Sequence, residues 1–133
     1  MKYEEGKRYL SRVRTIDLQI KEKNYLIEAL YTCVGLQGIS YDKVSVVSSP
    51  DSKFERIMGE ITEQKAALEK LQLKKAEVIR EITAELNSLG ECPERTILVG
   101  FYINGMDMEK ISEDLGYELS WCYRLRRKGI EML

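Results

Sequence analysis

Apolar side chains in the first third of the chain recur at alternating spacings of four and three. The set is Tyr9, Val13, Ile16, Ile20, Ile27, Leu30 and Val34, broken only by Lys23. A period of 3.5 residues marks a helix with one narrow apolar seam, of the kind that packs as a coiled coil. Leu10, Leu26 and Tyr31 widen that seam on one side. The pattern predicts one continuous helix from about Tyr3 to Val34. A second long helix is expected from about Ser49, with Ser49 as cap, Pro50 at the first position and Asp51 beside the positive end of the dipole. Its seam reads Phe54, Ile57, Ile61, Leu68, Leu71, Val78, Ile82 and Leu89, with Gln64, Lys75 and Glu85 in the remaining seam positions. Two striped helices of similar length bury their stripes against each other as an antiparallel hairpin, and polar residues within the seams argue against a deep core and for a role in fixing register or oligomer state. The connector 35–49, "GLQGISYDKVSVVSS", is long for a bundle loop and reads as a loop folded back over the hairpin end.

The pattern changes at "LGECPE" (89–94), where Gly90 suits a helix end and Pro93 a helix start. Ile97, Leu98, Phe101 and Tyr102 keep helical spacing until "NG" at 104–105. Asp107 then caps a short helix with Ile111 and Leu115 on one face, and Gly116 ends it in left-handed geometry. The last helix is expected from about Glu118 to residue 131, with Cys122, Leu125, Gly129 and Leu133 inward. The expected architecture is therefore all-α: a coiled-coil-like hairpin over 1–90 and a three-helix helix-turn-helix unit over 91–133.

Charge alters this picture only locally. The chain holds 21 basic and 22 acidic residues, yet three arginines and a lysine crowd positions 124–128. On a helical wheel with Cys122 at the core centre, the opposite face is Ser120, Arg124 and Arg127, flanked by Tyr123 and Lys128, with Trp121 at the boundary. Hydroxyl, guanidinium and aromatic groups on the outer face of such a second helix are what major-groove reading requires, since arginine donates two hydrogen bonds to guanine O6 and N7. Opposing this, residues 118–133 carry only a +2 excess, and the short helix before them bears Glu109, Glu113 and Asp114.

The remaining composition narrows the chemistry. Histidine is absent, so the commonest proton shuttle and metal ligand are missing. No CxxC pair or phosphate-binding glycine loop occurs; Gly35 and Gly38 lie between helices. No catalytic, metal or cofactor site is expected. Cys33, Cys92 and Cys122 are odd in number and far apart, which argues against a disulfide framework and for a reducing cytoplasm. Cys122 reads as a small core residue, Trp121 as packing at the motif edge, and Tyr3, Tyr9, Tyr25 and Tyr31 as seam or partner contacts. No apolar run approaches the roughly 20 residues of a membrane span, so no membrane association is expected.

The segment "ILVGFYINGMDMEKISEDLGYELSWCYRLRRKGIEML" (97–133) resembles the region 4 helix-turn-helix of bacterial sigma-70-type factors. Gly105, Ile111, Leu115, Gly116, Cys122, Leu125, Gly129 and Ile130 carry the likeness. The combination "LGY…YRL" behind a charged helical hairpin is also similar to small phage-encoded regulators of the ArpU and RinA type, which activate late genes. The resemblance implies a DNA-binding regulator in the cytoplasm of a bacterial host, with double-stranded DNA as partner and the hairpin either forming a homodimer or holding bacterial RNA polymerase. It implies base and phosphate contacts at Leu119, Ser120, Tyr123 and Arg124, to which the wheel adds Arg127 and Lys128. Glu118 stands where region 4 commonly has a threonine or serine cap, and Leu119 and Tyr123 replace side chains that are often charged. The likeness therefore implies no housekeeping promoter specificity, and without a region 2 equivalent no promoter melting. Two other functions fit the same pattern: an adaptor that binds polymerase or a sigma factor without DNA, favoured by the acidic first motif helix, and a packaging protein similar to phage small terminase subunits.

Overall fold

A computed structural model describes residues 1–35 and 51–133, and every regular element among them is helical. In chain order these are α1 (Tyr3–Leu10), α2 (Arg12–Cys33), α3 (Asp51–Asn87), α4 (Pro93–Leu98), a π-helical turn (Val99–Ile103), α5 (Met108–Leu115) and α6 (Leu119–Met132). Among the described residues no helix is long and apolar enough to cross a membrane. The caps expected at Ser49 and Pro50, and the connector beyond Gly35, lie outside the described residues.

The single first helix expected from Tyr3 to Val34 is two helices, parted at Ser11. Ser11 has ψ −5°, flatter than a helical residue, although its N–H still reaches Lys7 O at 3.0 Å. Its carbonyl accepts from both the amide and the hydroxyl of Thr15, at 3.1 and 3.3 Å. Such back-bonding from a threonine hydroxyl bends helices. The bend also follows from packing, because α1 lies against α6.

The chain divides into two compact units, and not at residue 90. One comprises Met1–Asp17 with Lys74–Leu133, so α1, the start of α2 and the end of α3 fold together with the C-terminal helices. The other comprises Leu18–Leu73. The expected boundary fails because apolar burial continues across it: Leu10, Val13, Ile82, Leu86, Ile97 and Leu98 are all fully buried in the first unit.

Most seam positions are more buried than their neighbours. Val13, Ile16, Ile27, Ile61, Val78 and Ile82 are buried, and Phe54, Ile57, Leu68, Leu71 and Leu89 are half-buried. Leu26, assigned to the widened seam, is instead exposed, and Leu86 takes a buried place not assigned to it. Three of the polar interruptions, Lys23, Gln64 and Lys75, find partners. Lys75 Nζ meets Asp17 Oδ1 at 2.5 Å in the first unit, and Lys23 Nζ donates to Gln64 Oε1 at 2.6 Å in the second. A half-buried ammonium needs such an acceptor, and the pairing favours one register over its neighbours.

In the C-terminal part, Gly90 adopts φ +76° and Pro93 opens α4, as the sequence indicates. The helix then widens: Asn104 N–H bonds Val99 O at 3.0 Å, five residues back, making a π turn that periodicity does not announce. The extra residue turns Tyr102 fully inward while Phe101 packs at the rim of the core, the two rings edge-to-face at 4.8 Å. Asp107 caps α5 by accepting from Lys110 N–H at 2.8 Å, and Gly116 closes it at φ +72°. Ile97, Met108, Ile111, Cys122 and Leu125 form the small core that α4, α5 and α6 share. At Gly129 of α6, a Cβ would stand 3.0 Å from Leu98 and 3.1 Å from Glu94 of α4, so this helix pair approaches closely only because the side chain is absent.

Candidate nucleic-acid interface

Helix α6 owes its orientation to four buried positions, Cys122, Leu125, Gly129 and Ile130. Ile130 takes the inner position expected of Leu133, which is half-buried beyond the helix end. With that face fixed, Ser120, Arg124 and Arg127 are exposed on the other side. Leu119 is exposed at 37% and Tyr123 at 46%, as is Trp121 at 46%. The first turn has no side-chain cap, since Glu118 makes no capping hydrogen bond. Beside that turn lies an open depression lined by Gly116, Tyr117, Glu118, Ser120, Trp121 and Arg124.

The four cations of 124–128 are not equivalent. Arg124 has no carboxylate partner among the described residues, and its guanidinium carbon lies 5.9 Å from the Trp121 ring. Arg127 leans over the Tyr3 ring of α1 at 4.4 Å, with Nε 3.6 Å from Glu131 Oε2. Lys128 is exposed, but its Nζ lies 3.6 Å from Oε2 of Glu94, a carboxylate side chain only 10% exposed. Arg126, which the wheel left off the outer face, is half-buried. Its guanidinium lies 4.8 Å from the Phe101 ring and 5.2 Å from the Tyr123 ring, and its Nε is buried without a hydrogen-bond partner.

The structure thus brings Leu119, Ser120, Tyr123 and Arg124 onto one exposed surface and ties Arg127 and Lys128 into local pairs. Two residues join the neighbourhood that outer-face reasoning missed, Arg126 and Arg14. Arg14 of α2 donates to Phe101 O from Nε at 3.3 Å and Nη2 at 3.1 Å, and stacks 3.9 Å from the same ring. A signal for Arg126 was present: it follows Cys122 by four, which puts a guanidinium on the core-facing arc, where a charge needs an aromatic or anionic partner. Arg14 carried no such signal, because its partner is a backbone carbonyl far along the chain.

Burial dominates the titration of the groups beneath. The Cys122 thiol is pushed above its ordinary value by burial, which favours an inert core thiol over a reactive one. Tyr102 is likewise pushed up by burial, eased by Arg126, raised further by Tyr3 and eased again by Arg14. The first helix of the pair remains acidic on its surface. Glu109, Glu113 and Asp114 are exposed, and among the described residues only Asp114 is in an ion pair, with Lys110 Nζ at 3.4 Å.

Against known proteins, the chain matches no family model, no curated protein and no solved structure.

Proposed function

We propose that this protein is a DNA-binding regulator, of the phage or prophage kind that its C-terminal segment resembles. In this reading α5 and α6 act as a sigma-70 region 4-like helix-turn-helix, α6 enters the major groove, and the helices α2 and α3 form a hairpin that dimerises the chain or holds RNA polymerase. The observation that carries the reading is the exposure of Ser120, Tyr123 and Arg124 together on the side of α6 opposite Cys122. All three are exposed, and Arg124 is not neutralised by a described carboxylate. Base edges would meet Ser120 and Arg124 in the first two turns, while Lys128 and Arg127 lie towards the phosphates. One such module with a +2 helix binds weakly, and two half-sites joined in a dimer supply the missing effective concentration.

Fluorescence anisotropy on a panel of labelled duplexes at low salt tests this. Saturable binding that weakens steeply as salt rises is expected. Absence of saturation at tens of micromolar would remove the direct-contact claim.

A second reading is favoured by one observation, the exposed acids Glu109, Glu113 and Asp114 on α5, which a duplex would repel. There the same surface docks on polymerase or a sigma factor without DNA. Capture of host polymerase by the tagged chain, with no shift of any duplex, selects it.

A further inference from the structure

Two guanidiniums share one aromatic ring in the C-terminal unit. The Arg14 carbon stands 3.9 Å from the Phe101 centroid and the Arg126 carbon 4.8 Å from the same centroid. Arg14 is fixed by two hydrogen bonds to the Phe101 carbonyl, and Phe101 itself is packed against the buried core. Arg126 is held between Phe101 and Tyr123. Neither cation pairs with a carboxylate among the described residues, although each lies within the field of the buried Tyr102. The Tyr102 hydroxyl and Arg126 Nε are both buried without hydrogen-bond partners among the described residues.

Two like charges held against one ring repel, and a low local dielectric strengthens that repulsion. Elsewhere in the same unit a carboxylate stands beside an arginine, at Arg12 with Glu81, 3.1 Å apart. Here the place of the counter-charge is left to something outside the described chain. Both side chains are half-buried, and the guanidinium N–H groups that the Phe101 carbonyl does not take suit the oxygens of a phosphate, which arginine grips in a planar, two-bond geometry. The pair also adjoins Tyr123, and so continues the exposed surface of α6.

We propose that Arg14 and Arg126 form a phosphate clamp on the backbone of the duplex that α6 reads. The clamp rests on the DNA-binding reading above, and deepens it by recruiting the N-terminal helices to the interface. Phosphate contacts of this kind set register and carry no base preference. Arg14, arriving from α2, makes the interface bipartite.

The test measures duplex affinity by anisotropy across a salt series for the full chain, Arg14→Gln, Arg126→Gln and Arg124→Ala. Each glutamine variant should weaken all duplexes by the same severalfold factor and flatten the slope of log K against log salt by about 0.9. Arg124→Ala should change the ranking of duplexes. A purely structural role for Arg14 would lower affinity without moving the slope, and Arg126→Gln carries the test independently if Arg14→Gln loses its melting transition. Wild-type binding with unchanged slopes in both variants overturns the clamp and leaves the DNA reading standing. If the wild type binds no duplex, the clamp is judged on inorganic tripolyphosphate by NMR. Movement of the Arg14 and Arg126 Nε–H signals supports it, and their constancy overturns it.

Discussion

Gly6 of α1 stands so close to Ile130 of α6 that a Cβ built on it would fall 2.4 Å from Ile130 Cγ2. Ile130 is fully buried and β-branched, with little freedom at χ1 to withdraw. Gly6→Ala is therefore expected to lower stability by about 1–3 kcal/mol by overpacking, even though alanine favours a helix by nearly 1 kcal/mol over glycine. Urea denaturation measures the loss. Ile130→Ala removes the offending methyl at its own cost, and the double variant should be more stable than the two single losses added together. Strict additivity would show that the close approach does not bind α1 to α6.

Glu94 holds Lys128 from the side of α4, at 3.6 Å, with the carboxylate buried and the ammonium largely exposed. Solvent screens such a pair, so its removal costs under about 1 kcal/mol of stability. Its larger effect is expected on binding. Glu94→Gln keeps the shape and frees a cation, so duplex affinity should rise for every sequence and the salt dependence should steepen. An unchanged slope would mean that Lys128 meets no phosphate.

Sequence patterning placed most of the helices because each rests on local chemistry: Asp107 on its own capping bond, Gly116 on its positive φ, and Pro93 on a position that needs no N–H donor. The exposed surface of α6 was legible for the same reason, since burying Cys122 and Leu125 turns Ser120 and Arg124 outward. What was hidden depends on partners distant in the chain. The bend at Ser11 follows from α1 packing on α6, and the π turn from fitting Phe101 and Tyr102 against the core. The union of α1, the start of α2 and the end of α3 with the C-terminal helices follows from Leu10, Leu86 and Leu98 all being buried in one unit. None of these has a signature in spacing. Arg126 is the intermediate case, visible on a wheel as a charge in the wrong arc but uninterpretable until Phe101 and Arg14 are seen beside it.

Three groups, Tyr102, Cys122 and Tyr9, hold their protons more tightly when folded, chiefly because burial disfavours the charged form. The unfolded chain releases those protons at the ordinary values, 9.0 for the thiol and 10.0 for the phenols. Between the unfolded and folded values the native state binds more protons, so stability falls as pH rises through this window. Denaturation midpoints should be flat from about pH 7 to 8 and decline above about pH 9. Tyr102→Phe should shrink the decline, and a decline unchanged by it would assign the effect elsewhere. The same burial predicts thiol reactivity: Cys33, exposed, should react first with a disulfide reagent, and Cys122 only on unfolding.

Arg124 gives the sharpest division between the two functional readings, because it alone of the cations at 124–128 is exposed and, among the described residues, unencumbered by a carboxylate or a second element. If it reads a base edge, Arg124→Ala should cost about 1–3 kcal/mol on the preferred duplex and little on the others, flattening the ranking. Arg124→Lys should recover charge without recovering preference, since an ammonium cannot present two parallel donors to guanine. Arg127→Ala should behave differently, lowering stability slightly through its lost contact with Tyr3 and weakening all duplexes alike. A docking role on polymerase predicts another pattern: Arg124→Ala and acid-neutralising changes at Glu109 and Glu113 would reduce polymerase capture together, with no duplex preference to lose. Measuring both readouts on the same set of variants therefore assigns the surface to DNA or to protein without reference to where in a genome it acts.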